Sequence, residues 1–248
     1  MEQALFQDML ELESEHWWLL GRGELLASLV TSECERRGGR VERLVDVGSG
    51  TGAILQRLSA LAGEAVGVES DPVPLRMSAE RGLDVRDGRA DSLPFSDESV
   101  DVLTAFDVLE HVPDDVAAAR EFHRVLRPGG SAVVSVPAYQ WLWSSHDVVH
   151  GHRRRYTSGS LAEALRAGGL HVRRRGYFNA WLLPAAATVR LAGRIARRPP
   201  ASDLARVPSR LNAVLLRILR SERTRVLDGG FPAGLSVFAI ADRPGDPA

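Results

Sequence analysis

Residues 44–52 read LVDVGSGTG, and this stretch decides the fold of the chain. Leu44, Val45 and Val47 are apolar on both sides of an extended chain, which is typical of a buried parallel strand. The glycines at positions 48, 50 and 52 allow a sharp turn and a close approach of a ligand to the main chain. The stretch therefore predicts a ligand pocket where the first strand of a parallel sheet meets a helix.

Asp46 indicates the charge of that ligand. A dinucleotide-binding turn reads G-x-G-x-x-G and holds a pyrophosphate at the start of the next helix. Here the glycines read G-S-G-T-G, and Asp46 lies two residues before the first of them. A carboxylate repels a phosphate and attracts a cation, so the sequence favours a positively charged ligand. A structural glycine turn, or another ligand of Rossmann-type folds, is the alternative.

The same stretch resembles the first motif of class I S-adenosylmethionine-dependent methyltransferases, whose cofactor carries an ammonium and a sulfonium group. The resemblance extends from about Glu13 to Ala241. It implies an α/β fold with a Rossmann-like, seven-stranded, mostly parallel sheet that has helices on both faces. It also implies an enzyme with S-adenosyl-L-methionine as cofactor. Strands that alternate with helices along the chain agree with this fold class.

An acidic residue falls at the distance at which Rossmann-type sites bind a ribose. Residues 64–69 read EAVGVE and predict a second strand that ends at Glu69, 19 residues after Gly50. A carboxylate there can accept hydrogen bonds from both ribose hydroxyls. Ser70 and Asp71 predict a turn and the N-cap of a helix that begins near Pro72.

In the resembled family, the segment after the third strand contacts the adenine, and here it is residues 88–95, GRADSLPF. Arg89 stands where an acidic residue is expected, and a guanidinium cannot accept a hydrogen bond from the adenine amine. We therefore expect Asp87 or Asp91 to replace that acid, or Arg89 to stack on the adenine. The main chain of Ala90 is expected to contact the ring.

A fourth strand is predicted at residues 100–106, and a helix with acidic residues in its first turn follows Pro113. By resemblance, the end of this strand lies under the methionine part of the cofactor. His111 there is interpreted as scaffold, with a base as the alternative. The predicted cofactor-binding residues are Trp18, Arg22, Asp46, Gly48, Ser49, Gly50, Gly52, Glu69, Ser70, Arg89, Ala90, Phe106, Asp107 and His111.

Residues 136–157, VPAYQWLWSSHDVVHGHRRRYT, leave the fifth strand predicted at 131–137 and combine aromatic, titratable and cationic side chains. Ligands of open parallel sheets bind at the carboxyl ends of the strands, so this loop should border the pocket. His146 is the predicted general base, with Asp147 to orient it and Tyr139 as a second candidate. The predicted substrate-binding residues are Trp143, His150, His152, Arg153 and Tyr156.

Two alternatives apply to this loop. Trp141 and Trp143 can be core residues, and the arginines that follow can be a solvated helix start. A metal site made of His146, His150 and His152 is also conceivable, but the spacing alone is weak, so we assign no metal ligands.

The chain divides into four predicted parts, which are an amino-terminal helical lid at 1–40, a cofactor-binding core at 41–178, a helical cap insertion at 179–230, and the last strand with the tail at 231–248. Within the insertion, residues 196–203 are interpreted as a linker by composition. The insertion separates a sixth strand, predicted at 171–178, from a seventh, predicted at 234–241. A dimer or membrane face is the alternative to the cap.

The amino-terminal part resembles a methyltransferase subgroup with an HWW or HFW run before a GRR-type helix start. Residues 13–24 read ESEHWWLLGRGE, with Gly23 in place of the second Arg. In that subgroup the segment closes over the cofactor, which would make Trp17, Trp18 and Arg22 part of a lid. An amphipathic helix that packs its tryptophans against the sheet is the alternative.

Composition limits location and partners. All 31 basic residues are Arg, and residues 1–139 hold 13 of them against 25 acidic residues, whereas residues 140–230 hold 17 against 5. The basic half can attract an anionic substrate, a membrane surface or a nucleic acid. One cysteine, an acidic start without a signal peptide, and no apolar run long enough to span a bilayer predict a cytoplasmic protein.

Three functions follow from these patterns. The first is methyl transfer to a small-molecule acceptor with an apolar body and an anionic group, such as an isoprenoid phosphate or a natural-product intermediate. The second is nucleic-acid methylation, which we consider unlikely because no RNA-binding module or N-P-P-Y-like motif is recognised. The third is a cyclase or binding protein on the same fold. A homodimer and peripheral membrane contact are compatible with each of them.

Overall fold

The computed structural model describes residues 3–195 and 207–245. Seven strands form a single sheet. They are β1 (Val41–Val47), β2 (Ala62–Glu69), β3 (Val85–Asp87), β4 (Val100–Phe106), β5 (Leu126–Pro137), β6 (His171–Phe178) and β7 (Ser236–Asp242). The helices of the described residues are α1 (Gln3–Leu12), α2 (Trp17–Arg36), α3 (Ala53–Leu58), α4 (Pro72–Glu80), α5 (Asp115–Val125), α6 (Ser145–Val149), α7 (Ser158–Ala167), α8 (Leu183–Ile195), α9 (Ser209–Ser221) and α10 (Arg223–Leu227).

The strand order is β3-β2-β1-β4-β5-β7-β6, and β7 alone among these strands runs antiparallel to its neighbours. This confirms the seven-stranded, mostly parallel sheet expected from the sequence. The chain leaves β1 towards β2 on one side and returns to β4 on the other, so a crevice opens at the carboxyl end of β1. Crevices at such a reversal are where open α/β sheets bind ligands.

Each face of the sheet is covered by helices, which explains why β4 is buried along its whole length. Phe122 of α5 and Leu165 of α7 lie in the core on one face. Leu26 and Leu29 of α2 lie in the core on the other face, together with Leu219 of α9. Removing such a side chain from water stabilises a fold by roughly 1.5–3 kcal/mol, so these helices are held mainly by their apolar faces.

Two helix starts follow the capping signals in the sequence. Asp71 precedes α4 and accepts a hydrogen bond from the main-chain N–H of Val73, and Pro72 is the first helical residue. Asp114 precedes α5 and accepts one from Ala117. Both predicted helix starts are therefore confirmed.

The fifth strand begins earlier than predicted. We expected it at Ser131, after a proline and two glycines, but β5 already begins at Leu126. The pairing of β5 with β4 shifts register between Val100 and Val102, and this irregularity accommodates the proline in the strand.

Helix α2 packs closely against α9. A Cβ atom built on Gly21 would lie 2.9 Å from Leu219 Cδ2, so only a glycine allows this distance. Asn212 of α9 accepts a hydrogen bond from the N–H of Trp17 and donates one to the carbonyl of Glu15. The amino-terminal helix is thus joined to the insertion, and its buried side packs on the sheet.

The insertion is anchored by a buried carboxylate that the sequence patterns did not reveal. Glu222, between α9 and α10, accepts hydrogen bonds from the N–H groups of Asn179, Ala180 and Trp181. These groups follow the end of β6, so Glu222 fixes the point at which the insertion leaves the sheet. The linker predicted at 196–203 lies outside the described residues. Among the described helices, none has the length and apolar character needed to cross a bilayer.

Candidate active site

A cavity of about 1060 Å³ lies at the carboxyl ends of β1, β2 and β4. Its floor includes the glycine turn after β1. Trp18 and Arg22 of α2 line one side, and Ala186 and Val189 of α8 line another. The amino-terminal helix and the insertion, which the sequence predicts as lid and cap, therefore both contribute walls of one cavity.

The glycine turn leaves room for a ligand at its apex. Gly50 has φ +53°, a conformation that side chains rarely adopt, and a Cβ atom on it would meet no atom within 4 Å. Gly48 and Ser49 also line the cavity. Ser49 Oγ is buried and has no hydrogen-bond partner among the described residues. Gly52, by contrast, is the N-cap of α3 and lies behind the turn.

Glu69 is held in place by the main chain around it. Its Oε2 accepts a hydrogen bond of 3.0 Å from the N–H of Gly50. Its Oε1 accepts bonds of 2.8 and 2.9 Å from the N–H groups of Ser70 and Asp71. Oε1 uses both of its lone pairs for these two bonds, whereas Oε2 keeps one, so Glu69 can accept one hydrogen bond from a ribose hydroxyl without moving.

Asp46 is a buried carboxylate in the floor of the cavity. It accepts a hydrogen bond of 2.6 Å from Thr104 Oγ1 and is almost fully buried. Burial raises the pKa of Asp46 to about 7, although the bond from Thr104 acts in the opposite direction. A cation bound in the cavity would favour the ionised form.

The end of β4 places a third carboxylate on the cavity wall. Asp107 has φ +56° and forms an ion pair of 2.7 Å with Arg22 of α2. Arg22 also lies 6.0 Å from the ring centre of Trp18, which in turn stacks on Phe178. The predicted lid residues therefore face the carboxyl end of β4.

The segment predicted to contact the adenine brings an acidic residue to the cavity. Arg89 forms two hydrogen bonds of 2.9 Å with the carboxylate of Asp91. Both residues line the cavity together with Ala90. Asp87 is exposed at the end of β3 and does not line it. Asp91 is thus the acidic residue of this segment that reaches the cavity.

The sequence suggested that Asp147 orients His146, but the carboxylate of Asp147 bonds to other residues. Its carboxylate is completely buried and receives two hydrogen bonds from Arg155, of 2.7 and 2.9 Å, and one from the N–H of Ser144. His152 Nδ1 lies 2.8 Å from Asp147 Oδ1. Burial alone would raise the pKa of Asp147, but the bonds from His152 and Arg155 hold it well below its usual range. Asp147 therefore orients His152.

Four imidazole rings meet on the cavity wall. The ring centres of His146 and His150 are 4.0 Å apart, and those of His111 and His152 are 4.8 Å apart. All four residues line the cavity, with Arg153 beside them. Burial, together with the charge of neighbouring His152, lowers the pKa of His111 to about 4, so this ring is neutral at physiological pH.

A buried glutamate next to this cluster was missed at the sequence level. Glu110 is fully buried, and apart from its own main chain no donor among the described residues bonds to its carboxylate. Burial, followed by the charge of Asp107, raises its pKa well above the usual range. The sequence signal was available, because Glu110 directly precedes His111 at the end of the β4 segment.

Three aromatic residues of the predicted site do not line the cavity. Tyr139 stacks on Tyr177, and burial with a hydrogen bond to Tyr177 raises its pKa above the usual value, which makes it a poor base. The hydroxyl of Tyr156 donates its one proton to Asp115 at 2.8 Å and lies 3.2 Å from the carbonyl oxygen of Leu109, so it supports the fold. Trp143 is half-buried behind α6. The alternative that Trp141 is a core residue is also wrong, since about half of its surface is exposed.

Comparison with known proteins agrees with the fold. The family described as a methyltransferase domain matches residues 45–134. An uncharacterised methyltransferase of Mycobacterium sp. (strain KMS) is 36% identical over 142 residues, which is 56% of this chain and 52% of the relative. A probable S-adenosylmethionine-dependent methyltransferase of Mycolicibacterium smegmatis is 29% identical over 165 residues, 65% of this chain and 62% of the relative. The chain thus spans about half to three fifths of the length of these curated relatives.

A solved S-adenosylmethionine-dependent methyltransferase of Thermotoga maritima has the same fold, with a TM-score of 0.59. It is 20% identical, and the match covers 98% of this chain and all of that one. Residues 45–134, which include the glycine turn, thus match a methyltransferase domain, and the chain shares the fold of solved S-adenosylmethionine-dependent methyltransferases.

Proposed function

We propose that this protein transfers a methyl group from S-adenosyl-L-methionine to a small-molecule acceptor that has an apolar body and an anionic group. The observation that carries the proposal is one continuous cavity that joins the glycine turn to the histidine cluster. Its volume of about 1060 Å³ reaches the upper end of the range for sites that hold one drug-sized ligand, roughly 300–1,000 Å³. Two ligands can therefore lie next to each other.

The donor half of this cavity is the wall made of Asp46, Ser49, Gly50 and Glu69. Glu69 would accept a hydrogen bond from a ribose hydroxyl, and Gly50, which has no side chain, leaves space for the ribose. Asp46 would face a cationic group. The cofactor supplies a methyl group on a sulfonium centre, from which it can be transferred by an in-line displacement. The residues then have to position the acceptor and exclude water.

The acceptor half is the wall made by the insertion and the loop after β5. Ala186 and Val189 of α8 supply apolar surface, and Arg153 and Arg190 supply positive charge. Of the three consecutive arginines, Arg154 is bonded to the carbonyls of Val112 and Pro113. Arg155 is occupied by Asp147. Arg154 does not line the cavity, whereas Arg153 and Arg190 do, although they also donate to the carbonyls of His111 and Leu142. We therefore assign anion binding to Arg153 and Arg190.

His146 is the proposed group that accepts a proton from the acceptor. It lines the cavity on α6, next to His150 and within 5.9 Å of the His152 ring centre. An imidazole can take up a proton near neutral pH. Asp107, paired with Arg22, borders the place where the two halves meet.

The buried thiol of Cys34, the single cysteine of the chain, agrees with a cytoplasmic location.

The proposal is tested by calorimetry with the cofactor and by transfer of labelled methyl groups to pools of isoprenoid phosphates, carboxylic acids and RNA. We expect Glu69→Gln to weaken cofactor binding by about 1–3 kcal/mol, because a charged acceptor is lost. Glu64→Gln on the same strand is the control, since its partners are Arg43 and Arg86 outside the cavity. His146→Gln should bind cofactor and transfer no methyl group.

Two outcomes would contradict the proposal. Equal cofactor affinity for wild type and Glu69→Gln would remove the assignment of the donor half. Label that appears only in RNA would replace the small-molecule acceptor by a nucleic acid.

A further inference from the structure

We propose that Glu110, His111 and His152 bind a divalent transition-metal ion of the zinc type where the donor and acceptor halves of the cavity meet. One potential ligand atom from each residue lies within 4.8 Å of the other two. One carboxylate and two imidazoles are a donor set that zinc and related metals use in catalytic sites. The set differs from the three histidines that the spacing suggested, because the fold brings His152 next to the end of β4.

The carboxylate of Glu110 gives the first independent argument for an ion. A fully buried carboxylate normally has hydrogen-bond donors or a cation as a partner, since its burial is otherwise costly. Glu110 has neither among the described residues, apart from its own main chain. The imidazoles of His111 and His152 are the groups nearest to it that can share a ligand with it.

The second argument is the orientation of the two histidines. Asp147 Oδ1 lies 2.8 Å from His152 Nδ1 and receives its proton, which leaves the lone pair of Nε2 for a metal. The ring of His111 packs edge-on against that of His152, with the ring centres 4.8 Å apart. Ligating histidines in metalloproteins are oriented by such bonds from the nitrogen that does not face the metal.

The third argument is that the two segments with the ligands are joined. The N–H of Arg153 donates a 2.8 Å hydrogen bond to the carbonyl of Glu110. Arg153 Nε donates one of 3.0 Å to the carbonyl of His111. Arg155 and Ser144 hold Asp147 on the other side of His152. The ligands are thus fixed before any ion binds.

The role of the ion rests on the proposed methyltransferase function. Three protein ligands leave a coordination position open towards the cavity, where a hydroxyl group of the acceptor can bind. The metal lowers the pKa of this hydroxyl, and His146 takes up its proton. An oxygen lone pair then forms the bond to the methyl carbon, the carbon–sulfur bond breaks, and its electron pair stays on sulfur. The products are a methyl ether and S-adenosylhomocysteine, with the metal unchanged.

The experiment uses the whole protein after treatment with a chelator and dialysis. Zinc chloride is titrated by calorimetry, and the melting temperature is measured with and without zinc. We expect one zinc ion per chain and a rise in melting temperature. Glu110→Gln and His152→Gln should lower zinc affinity at least tenfold and lose this rise. His171→Gln removes an exposed histidine at the start of β6 and should bind zinc as the wild type does.

Circular dichroism of the metal-free variants shows whether they are folded, and Co²⁺ provides a visible spectrum that reports the ligands directly. The inference is wrong if wild type binds no zinc, or if Glu110→Gln, correctly folded, binds it with unchanged affinity. Cofactor binding to the metal-free protein is measured in parallel. If the protein binds the cofactor but not zinc, the metal site is wrong and the proposed function stands. If it binds zinc but not the cofactor, the metal site stands and the proposed function is wrong.

Discussion

Glu69 is the last residue of β2, and Glu110 follows β4 at the same edge of the sheet. The two carboxyl groups differ in their hydrogen-bond partners. Glu69 receives three hydrogen bonds from main-chain N–H groups of the two turns beside it. Glu110 is more deeply buried and receives none from another residue of the described chain. In the donor half, main-chain donors thus hold the carboxylate, whereas the carboxyl group of Glu110, where the two halves meet, lacks a partner among the described residues. Three experiments test this contrast.

The largest effect is expected at the ion pair that supports the acceptor half. Arg155→Ala leaves the buried Asp147 without its guanidinium, so the free energy of unfolding should fall by about 3–5 kcal/mol. Denaturant unfolding followed by circular dichroism measures this change. Arg153→Ala is the matched control, because Arg153 is exposed, and it should change stability by less than about 0.5 kcal/mol. Similar losses of unfolding free energy for both variants would show that the buried ion pair between Arg155 and Asp147 does not stabilise this loop.

A direct comparison of the two glutamates should give effects of opposite sign. In the presence of a chelator, Glu110→Met removes an unpartnered buried carboxylate and should raise the free energy of unfolding by about 1–3 kcal/mol. Glu69→Met removes an acceptor of three hydrogen bonds and should lower it by about 1–3 kcal/mol. Denaturant unfolding at pH 8 measures both. A loss of stability in both variants would mean that Glu110 has a partner in solution.

The smallest effect concerns pH. The protonated carboxyl of Asp46 cannot pair with a cationic group, and its pKa in the protein is about 7. Cofactor affinity should therefore fall as the pH is lowered through 7, by about tenfold between pH 7.5 and 6. Calorimetry over this range checks the change. Asp46→Asn should bind more weakly and show a flat profile, and a flat profile for wild type would place the cationic group elsewhere.

The sequence predicted the strands and the helix starts well because their features are local. The ranges of β4 and β6 agree with the prediction residue for residue. The cap residues Asp71 and Asp114 and the distance from Gly50 to Glu69 are set by neighbouring positions. Hydrophobic alternation, glycine turns and helix caps act over a few residues, so a single sequence reveals them.

The acceptor half was predicted less well because its contacts join distant segments. Asp147 was assigned to His146, one residue away, but it bonds to His152 and to Arg155. Tyr139 was assigned to the pocket by its place after the fifth strand, although φ +55° turns the chain and the ring stacks in the core. The spacing of these residues along the sequence does not show which of their side chains meet around α6.

The close contact of α2 with α9 at Gly21 has a kinetic consequence. Asn212 ties the first turn of α2 to α9, and Arg220 of α9 forms an ion pair with Glu24 of α2. A displacement of α9 would therefore also move Trp18 and Arg22, which line the cavity. Under the proposed function, we expect exchange of the spent donor and release of the methylated product to be coupled.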